Sequence, residues 1–170
     1  MKAVRVNSKP SAWVYPAAMT SAIERDPATW FARHDRPADA PTAALVREDF
    51  ARWLRRRVSA DETKLCDVVL AVNEALANAA EYAYLGGGGG TCDLEAVFDV
   101  AAGVLTVSVS DQGRWREPDS DPHLRHRGRG IPLMRKLADA VVIDTSPLGT
   151  TVCMRFGHVD APVRLEAGIC

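Results

Sequence analysis

Hydrophobic residues recur at spacings of three and four along the middle of the chain, which is the period of one helix face. Six positions share this stripe: Leu65, Val69, Val72, Leu76, Ala79 and Ala83. Glu74 and Asn78 lie one turn apart on a second line of the same helix. A carboxamide oxygen suits a hard cation, and a carboxylate suits a water or a proton. The pair is therefore either reactive or simply a solvated helix shoulder.

A helix is also predicted before this central one. Pro41 suits its first turn, and several arginines lie near its end, where cations are favourable. The apolar face of this helix is predicted to be Leu45, Val46, Phe50, Trp53 and Leu54. Ser59 to Glu62 has the S-x-x-E pattern of a capping box, which predicts the start of the central helix.

Alternating apolar and polar residues predict two antiparallel strands joined by a hairpin, Thr91–Asp99 and Val104–Ser110. A short edge strand is predicted at Thr29–Arg33, and two strands are predicted near the end, at Val141–Asp144 and after Gly149. The order is strand, helix, helix, strand, strand, loop, helix, strand, strand. It favours an α+β two-layer sandwich, with helices on one face of a mostly antiparallel mixed sheet.

Composition narrows the class of protein. With 170 residues, a net charge of -1 and 47% hydrophobic residues, the chain fits one globular domain and does not favour direct nucleic-acid binding. No apolar run approaches the ~18 residues of a membrane helix, and the N-terminus makes a poor signal peptide. Four cysteines form no C-x-x-C pair, which favours reduced cytoplasm, and Cys92 and Cys153 are expected to be buried thiols.

Three further motifs fall at the ends of predicted elements. Asp111-x-Gly113 ends a strand, Gly128-x-Gly130 opens a helix that reaches about Asp139, and Gly149-Thr150 precedes the last strand. Between the first two lies an aperiodic loop, 114–127, whose H-x-x-H spacing lacks a third metal ligand. The run of five glycines at 86–90 is interpreted as a connector, since no Walker-type Lys-Ser or Lys-Thr follows it. Each motif is weak alone, whereas their joint order is specific.

These motifs, NEALANAAEYAY, DQGRW, RGRGIPLMRKLAD and GTTVCMRF, resemble those of the GHKL (Bergerat-fold) ATPases. Within that group the chain is most similar to the anti-sigma factor and serine-protein kinase family of the RsbW and SpoIIAB type. The resemblance covers about residues 29–157. Residues 1–28 are interpreted as an N-terminal extension and residues 158–170 as a C-terminal tail.

The resemblance implies a site for ATP and Mg²⁺. Asp111 would accept a hydrogen bond from the adenine amino group, and Gly113 would let the backbone approach the ring. Backbone N–H groups at a helix start would hold phosphate beneath a lid formed by residues 114–127. Asn78 would ligate Mg²⁺, and Glu74 would be the general base. The implied nucleotide contacts are Asn78, Asp111, Gly113, Arg127, Gly128, Arg129, Gly130, Ile131 and Thr150.

Two positions bear on activity and partners. Tyr82 stands where family members often carry His, so a group that titrates near neutrality is lost. Arg47 matches an arginine that relatives use at partner surfaces, although an ordinary exposed helix arginine explains it equally well.

The resemblance implies a cytoplasmic, ATP-dependent serine/threonine protein kinase that is also an anti-sigma factor. Its expected partners are a sigma factor, a STAS-domain antagonist that it phosphorylates, and a second copy of itself. The alternatives are a catalytically weak module that uses ATP only to regulate partner binding, an ATPase domain detached from a sensor histidine kinase, and a plain α+β domain without nucleotide.

Overall fold

Five strands and three helices make up the described part of the chain, residues 26–84, 89–113 and 129–162 of a computed structural model. In chain order they are β1 (Trp30–Pro37), α1 (Ala40–Arg57), α2 (Glu62–Tyr82), β2 (Thr91–Asp99), β3 (Val104–Asp111), α3 (Gly130–Leu137), β4 (Ala140–Ser146) and β5 (Gly149–Gly157). The order of elements is the predicted one, and the α+β class is confirmed.

The strands form one sheet in the order β1-β2-β3-β5-β4, and each neighbouring pair is antiparallel. The sheet is therefore antiparallel throughout the described strands, where a mostly antiparallel mixed sheet was expected. Since β3 and β5 are neighbours, the end of β3 meets the start of β5, and Asp111 pairs directly with Thr150. Two of the predicted motifs thus come together at one end of the sheet.

Alternate residues of the strands point to the helices and form the core. Val107, Val109 and Met154 are buried on this face, beside Phe50 of α1 and Met134 of α3. Burying one side chain of this size stabilises the fold by about 1.5–3 kcal/mol. Helix α2 contacts both α1 and α3, so it is the middle of the helical layer. Its buried residues include Leu65, Val68, Val72, Leu76 and Ala79.

The helix starts differ in part from the prediction. Asp39 caps α1 by accepting a hydrogen bond from the Thr42 N–H at 2.7 Å, with Pro41 in the first turn as expected. Asp61 caps α2 through the Lys64 N–H at 2.7 Å, so the capping box at Ser59 is wrong. Ser59 instead exchanges backbone hydrogen bonds with Asp160 and forms a β-bridge with it, two residues before the cap Asp61.

Other boundaries also shift. The edge strand β1 runs to Pro37 rather than Arg33, and α3 ends at Leu137. Leu45 was expected in the core but is 64% exposed. The buried stripe of α1 is Val46, Phe50 and Leu54, and Leu45 lies ~100° away from Val46 around the helix. None of the described helices is long and apolar enough to cross a membrane.

Candidate functional site

The polar pair of α2 lies directly against the start of α3. A Cβ atom added to Gly130, the first residue of α3, would stand 3.1 Å from Glu74 Oε2 and 3.4 Å from Asn78 Oδ1. Both polar residues are half-buried. Glycine at this position therefore allows a helix N-terminus to approach a carboxylate and a carboxamide closely. This arrangement favours a binding site at Glu74 and Asn78 over an ordinary solvent-exposed helix surface.

The start of α3 has the properties of an anion site. Its N-cap residue, Arg129, makes no side-chain capping hydrogen bond, and the first turn contains no acidic residue. Backbone N–H groups at a helix start lack intrahelical partners and carry the positive end of the dipole. Arg129 is exposed, and Ile131 is partly buried against the core. The predicted contacts Arg127 and Gly128 lie outside the described residues, as does the expected lid.

At the other end of the site, Asp111 is held by backbone donors. Its Oδ1 accepts a hydrogen bond from the Gly113 N–H at 2.9 Å, and its carboxylate also accepts one from the Thr150 N–H. Burial raises the pKa of Asp111 above the usual 3.8, and the two hydrogen bonds oppose that rise. Thr150 itself is only 5% exposed. The result is a partly desolvated carboxylate with a fixed orientation, which is what selective recognition of a base edge requires.

Two glycines let backbone segments meet around this carboxylate. A Cβ atom at Gly149 would stand 1.9 Å from the Asp111 carbonyl oxygen, and the residue has a φ of +144°. A Cβ atom at Gly113 would stand 2.1 Å from the Ala83 carbonyl oxygen, at the end of α2. The missing side chain at Gly113 thus accommodates the end of a helix. Its expected role beside an adenine ring stays a prediction.

Tyr84 is a member of this site that sequence reasoning missed. Its hydroxyl donates to the Thr91 carbonyl oxygen at 2.6 Å and accepts from the Gln112 N–H at 3.0 Å. A Cβ atom at Gly90 would overlap the tyrosine ring, so the ring lies against that glycine. Tyr84 therefore links the end of α2, the start of β2 and the turn that follows Asp111. The available signal was a second tyrosine just beyond Tyr82, before the glycine run.

Helix α2 joins the two halves of the site. Asn78 faces the start of α3, whereas Ala83, five residues later, contacts the turn at Gly113. Five helical residues span about 7.5 Å. The turn that follows Asp111 and the start of α3 therefore both lie against α2, about five helical residues apart.

The donor set at Glu74 and Asn78 suits Mg²⁺, which usually takes one or two protein oxygens and completes its shell with phosphates and waters. In the described residues, no group of three or more His, Cys, Asp or Glu side chains converges as a metal site. The pair therefore fits a metal shared with a ligand better than an all-protein metal cage.

Arg47 lies on the seam between α1 and α2. Its Nη1 donates to Asn73 Oδ1 at 3.2 Å, and its Nη2 lies 3.9 Å from Glu48 Oε1. The side chain is 37% exposed. Arg47 is therefore reachable from solvent while it is tied to the residue before Glu74.

Comparison with known proteins agrees with this fold. The profile of the histidine kinase-like ATPase domain matches residues 36–156. The crystal structure of the RsbU and RsbW domains of a Mycobacterium tuberculosis protein is similar to this chain, with a TM-score of 0.57 and 23% identity. The similarity covers 75% of this chain and 32% of that one. The resemblance to the histidine kinase-like ATPases is confirmed by the profile, and the structural similarity supports the same fold.

Proposed function

Because this chain belongs to the histidine kinase-like ATPase domain family, we propose that it is an ATP-dependent protein kinase that also acts as an anti-sigma factor. Membership in an ATPase family implies ATP use and a regulatory, kinase-like module. The serine/threonine specificity, the sigma factor and the STAS-domain antagonist are parts of the proposal. The observation that carries it is the approach of Gly130 to Glu74 and Asn78.

Asp111 binds the adenine end of ATP. Its carboxylate is already oriented by the Gly113 and Thr150 N–H groups, so it accepts from the amino group of adenine without reorganising. The hydroxyl of the buried Thr150 lies on the adenine side of the site. Guanine and hypoxanthine offer no amino donor at that position of the ring, so both are bound more weakly.

The start of α3 holds the phosphates. The N–H groups of Gly130 and Ile131 supply the donors, because Pro132 has no N–H and the Leu133 N–H already donates to the Arg129 carbonyl. The positive charge of Arg129 adds to the helix dipole. Arg127 and Gly128 complete this cradle in the proposal, together with the lid formed by residues 114–127. Asn78 provides the protein ligand of Mg²⁺. A bound Mg²⁺ would neutralise negative charge on the phosphates.

Glu74 acts as the general base. It takes the proton of the substrate hydroxyl while that oxygen bonds to the γ-phosphorus and the bond from the γ-phosphorus to ADP breaks. The products are ADP and a phosphorylated Ser or Thr. The position of Glu74, one turn from Asn78 and beside the start of α3, supports this role.

The test is a phosphotransfer assay with Mg-ATP and a candidate STAS-domain antagonist. Glu74→Gln should bind ATP with nearly unchanged affinity and lose at least 100-fold in phosphotransfer rate, which is within the range for a general base. Glu81→Gln is the matched control, since Glu81 is exposed on the same helix, and it should retain full activity. If the wild-type protein binds ATP yet transfers no phosphate, the kinase proposal fails.

Tyr82 supports a second candidate function, a module in which ATP governs partner binding without phosphotransfer. Tyrosine replaces the histidine often found at this position, so proton transfer near neutrality loses a participant. Partner capture would then depend on ATP and survive Glu74→Gln unchanged. A pull-down with and without ATP, run on the wild type and on Glu74→Gln, separates this module from the kinase.

A further inference from the structure

One exposed leucine lies one turn before Glu74 on helix α2. Leu70 is 41% exposed, whereas Leu65 and Leu76, the other two leucines of that helix, are 7% and 1% exposed. Leu70 precedes Glu74 by four residues, and the same step leads from Glu74 to Asn78. Residues four apart are neighbours on a helix surface, so these three side chains follow one line along α2.

Three other large hydrophobic side chains are exposed among the described residues. Val100 lies in the turn between β2 and β3, and Leu148 lies in the turn between β4 and β5. Leu45 precedes Arg47 by two residues, and Arg47 reaches across to α2. Two residues turn a helix by about 200°, so Leu45 faces away from α2. A single exposed leucine is ordinary on a protein surface, and Leu70 stands out because it shares a helix with the polar pair.

The order of contacts along α2 gives the site a direction. The turn at Gly113 lies against Ala83, at the end of the helix, whereas the start of α3 lies against Asn78 and Glu74. In the proposed function the base of ATP binds near the first contact and the phosphates near the second. Phosphoryl transfer places the attacking and leaving oxygens roughly in line through phosphorus. The substrate hydroxyl therefore approaches from the side of α2 that precedes Glu74, where Leu70 lies.

Polar side chains border Leu70 on the helix surface. Asp67 and Asn73, three residues to either side, are half-buried, and Asn73 accepts a 3.2 Å hydrogen bond from Arg47. Cys66, one turn before Leu70, is exposed. An apolar centre within a polar rim is the usual anatomy of a protein interface.

Four helical residues span about 6 Å, so a protein segment whose hydroxyl reaches Glu74 also meets Leu70. We propose that Leu70 docks the protein substrate by packing against an apolar side chain near the Ser or Thr that is phosphorylated. In an extended segment this side chain lies two residues from the phosphoacceptor, because two residues span about 6.6 Å. The inference rests on the proposed kinase function and extends it to the substrate segment that the protein selects.

Steady-state phosphotransfer with Mg-ATP and the candidate STAS-domain antagonist tests the docking role. Leu70→Ala should raise the KM for the antagonist about tenfold, as expected when a central apolar contact is truncated, while kcat, ATP affinity and melting temperature stay near their wild-type values. Leu70→Met keeps the side-chain volume and should bring KM back close to the wild-type value. Leu45→Ala is the matched control, since it truncates an exposed leucine that faces away from α2, and it should change none of these quantities.

Alkylation of Cys66 locates the bound substrate without phosphotransfer. Glu74→Gln loaded with ATP is used, so that the antagonist binds and is not phosphorylated. Antagonist at saturation should slow N-ethylmaleimide labelling of Cys66 about tenfold, because a thiol one turn from Leu70 is then shielded. A cysteine introduced by Leu45→Cys in the same protein should react at one rate with and without the antagonist. Peptide mass spectrometry measures both rates.

The docking role and the kinase proposal fail in different ways. If the wild type transfers no phosphate to the antagonist, the kinase proposal fails and the docking role fails with it. If the wild type transfers phosphate but Leu70→Ala keeps the wild-type KM, or if bound antagonist leaves Cys66 labelling unchanged, the docking role alone is overturned. A fall in ATP affinity or melting temperature that matches the rise in KM would also overturn it, because Leu70 would then act through the fold.

Discussion

Replacing Tyr84 by Phe removes one oxygen atom and should loosen the turn that follows Asp111, on the proposed adenine side of the site. The ring remains against Gly90, but the Thr91 carbonyl loses its 2.6 Å donor and the Gln112 N–H loses its 3.0 Å acceptor. Each hydrogen bond contributes about 0.5–1.5 kcal/mol net, so the free energy of unfolding should fall by ~1–3 kcal/mol. For a chain of this size the melting temperature should drop by about 2–4 °C per kcal/mol.

The same substitution should also affect nucleotide selectivity. The Gln112 N–H directly follows Asp111, so losing its acceptor releases the turn that orients the carboxylate. We expect ATP affinity to fall about tenfold while ITP affinity changes little, because ITP lacks the amino group. Isothermal titration with both nucleotides measures the ratio. A purely structural role would weaken both equally.

Trp53→Phe is the control. It removes a 3.2 Å hydrogen bond from the indole to the Pro27 carbonyl, near the end of the sheet opposite Asp111. It should lower stability without changing the preference for ATP over ITP. If Tyr84→Phe leaves the melting temperature unchanged, the two hydrogen bonds are not formed in solution; if stability falls but the ATP-to-ITP ratio holds, the positioning role is refuted.

Three other substitutions probe the site. In Asp111→Asn, the carboxamide oxygen still accepts from the Gly113 N–H but turns its NH₂ group towards adenine, so calorimetry should show ATP affinity reduced at least tenfold. Burial raises the pKa of Asp111 above 3.8, so the contribution of Asp111 to folding stability is fully present below pH 3.8 and falls as pH rises through the pKa of the folded state. Urea unfolding measured at several pH values should show this decline in the wild type and not in Asp111→Asn. Gly130→Ala puts a methyl group 3.1 Å from Glu74 Oε2 and should lower ATP affinity at nearly constant melting temperature, whereas a matching loss of stability would contradict it. Gly149→Ala should cost about 3 kcal/mol or more in urea unfolding, because φ is +144° and the new atom meets the Asp111 carbonyl; a wild-type midpoint would refute this.

Local periodicity was sufficient to predict the elements. The strand alternation places Leu94 and Val109 on the core face, where they pair across β2 and β3. Errors arose where two readings of one pattern compete. Leu45 adjoins the buried stripe of α1 but faces solvent, and Ser59 has capping chemistry but is used in a backbone bridge with Asp160.

The candidate site was harder to derive, because its geometry depends on contacts between distant segments. The motifs indicated Asp111 and Glu74, yet nothing local places the Ala83 carbonyl in the space left open by Gly113. The role of Tyr84 was missed for the same reason. Its two hydrogen-bond partners lie seven and 28 residues away, and their approach follows only from the packing of α2 onto the sheet.

The Arg47 guanidinium is already engaged before any partner arrives. Whatever docks there must compete with the Asn73 carboxamide or share its donor, and Asn73 immediately precedes Glu74 on the same helix turn. Under the proposed function, a partner bound at Arg47 would therefore act through a residue that is one peptide bond from Glu74.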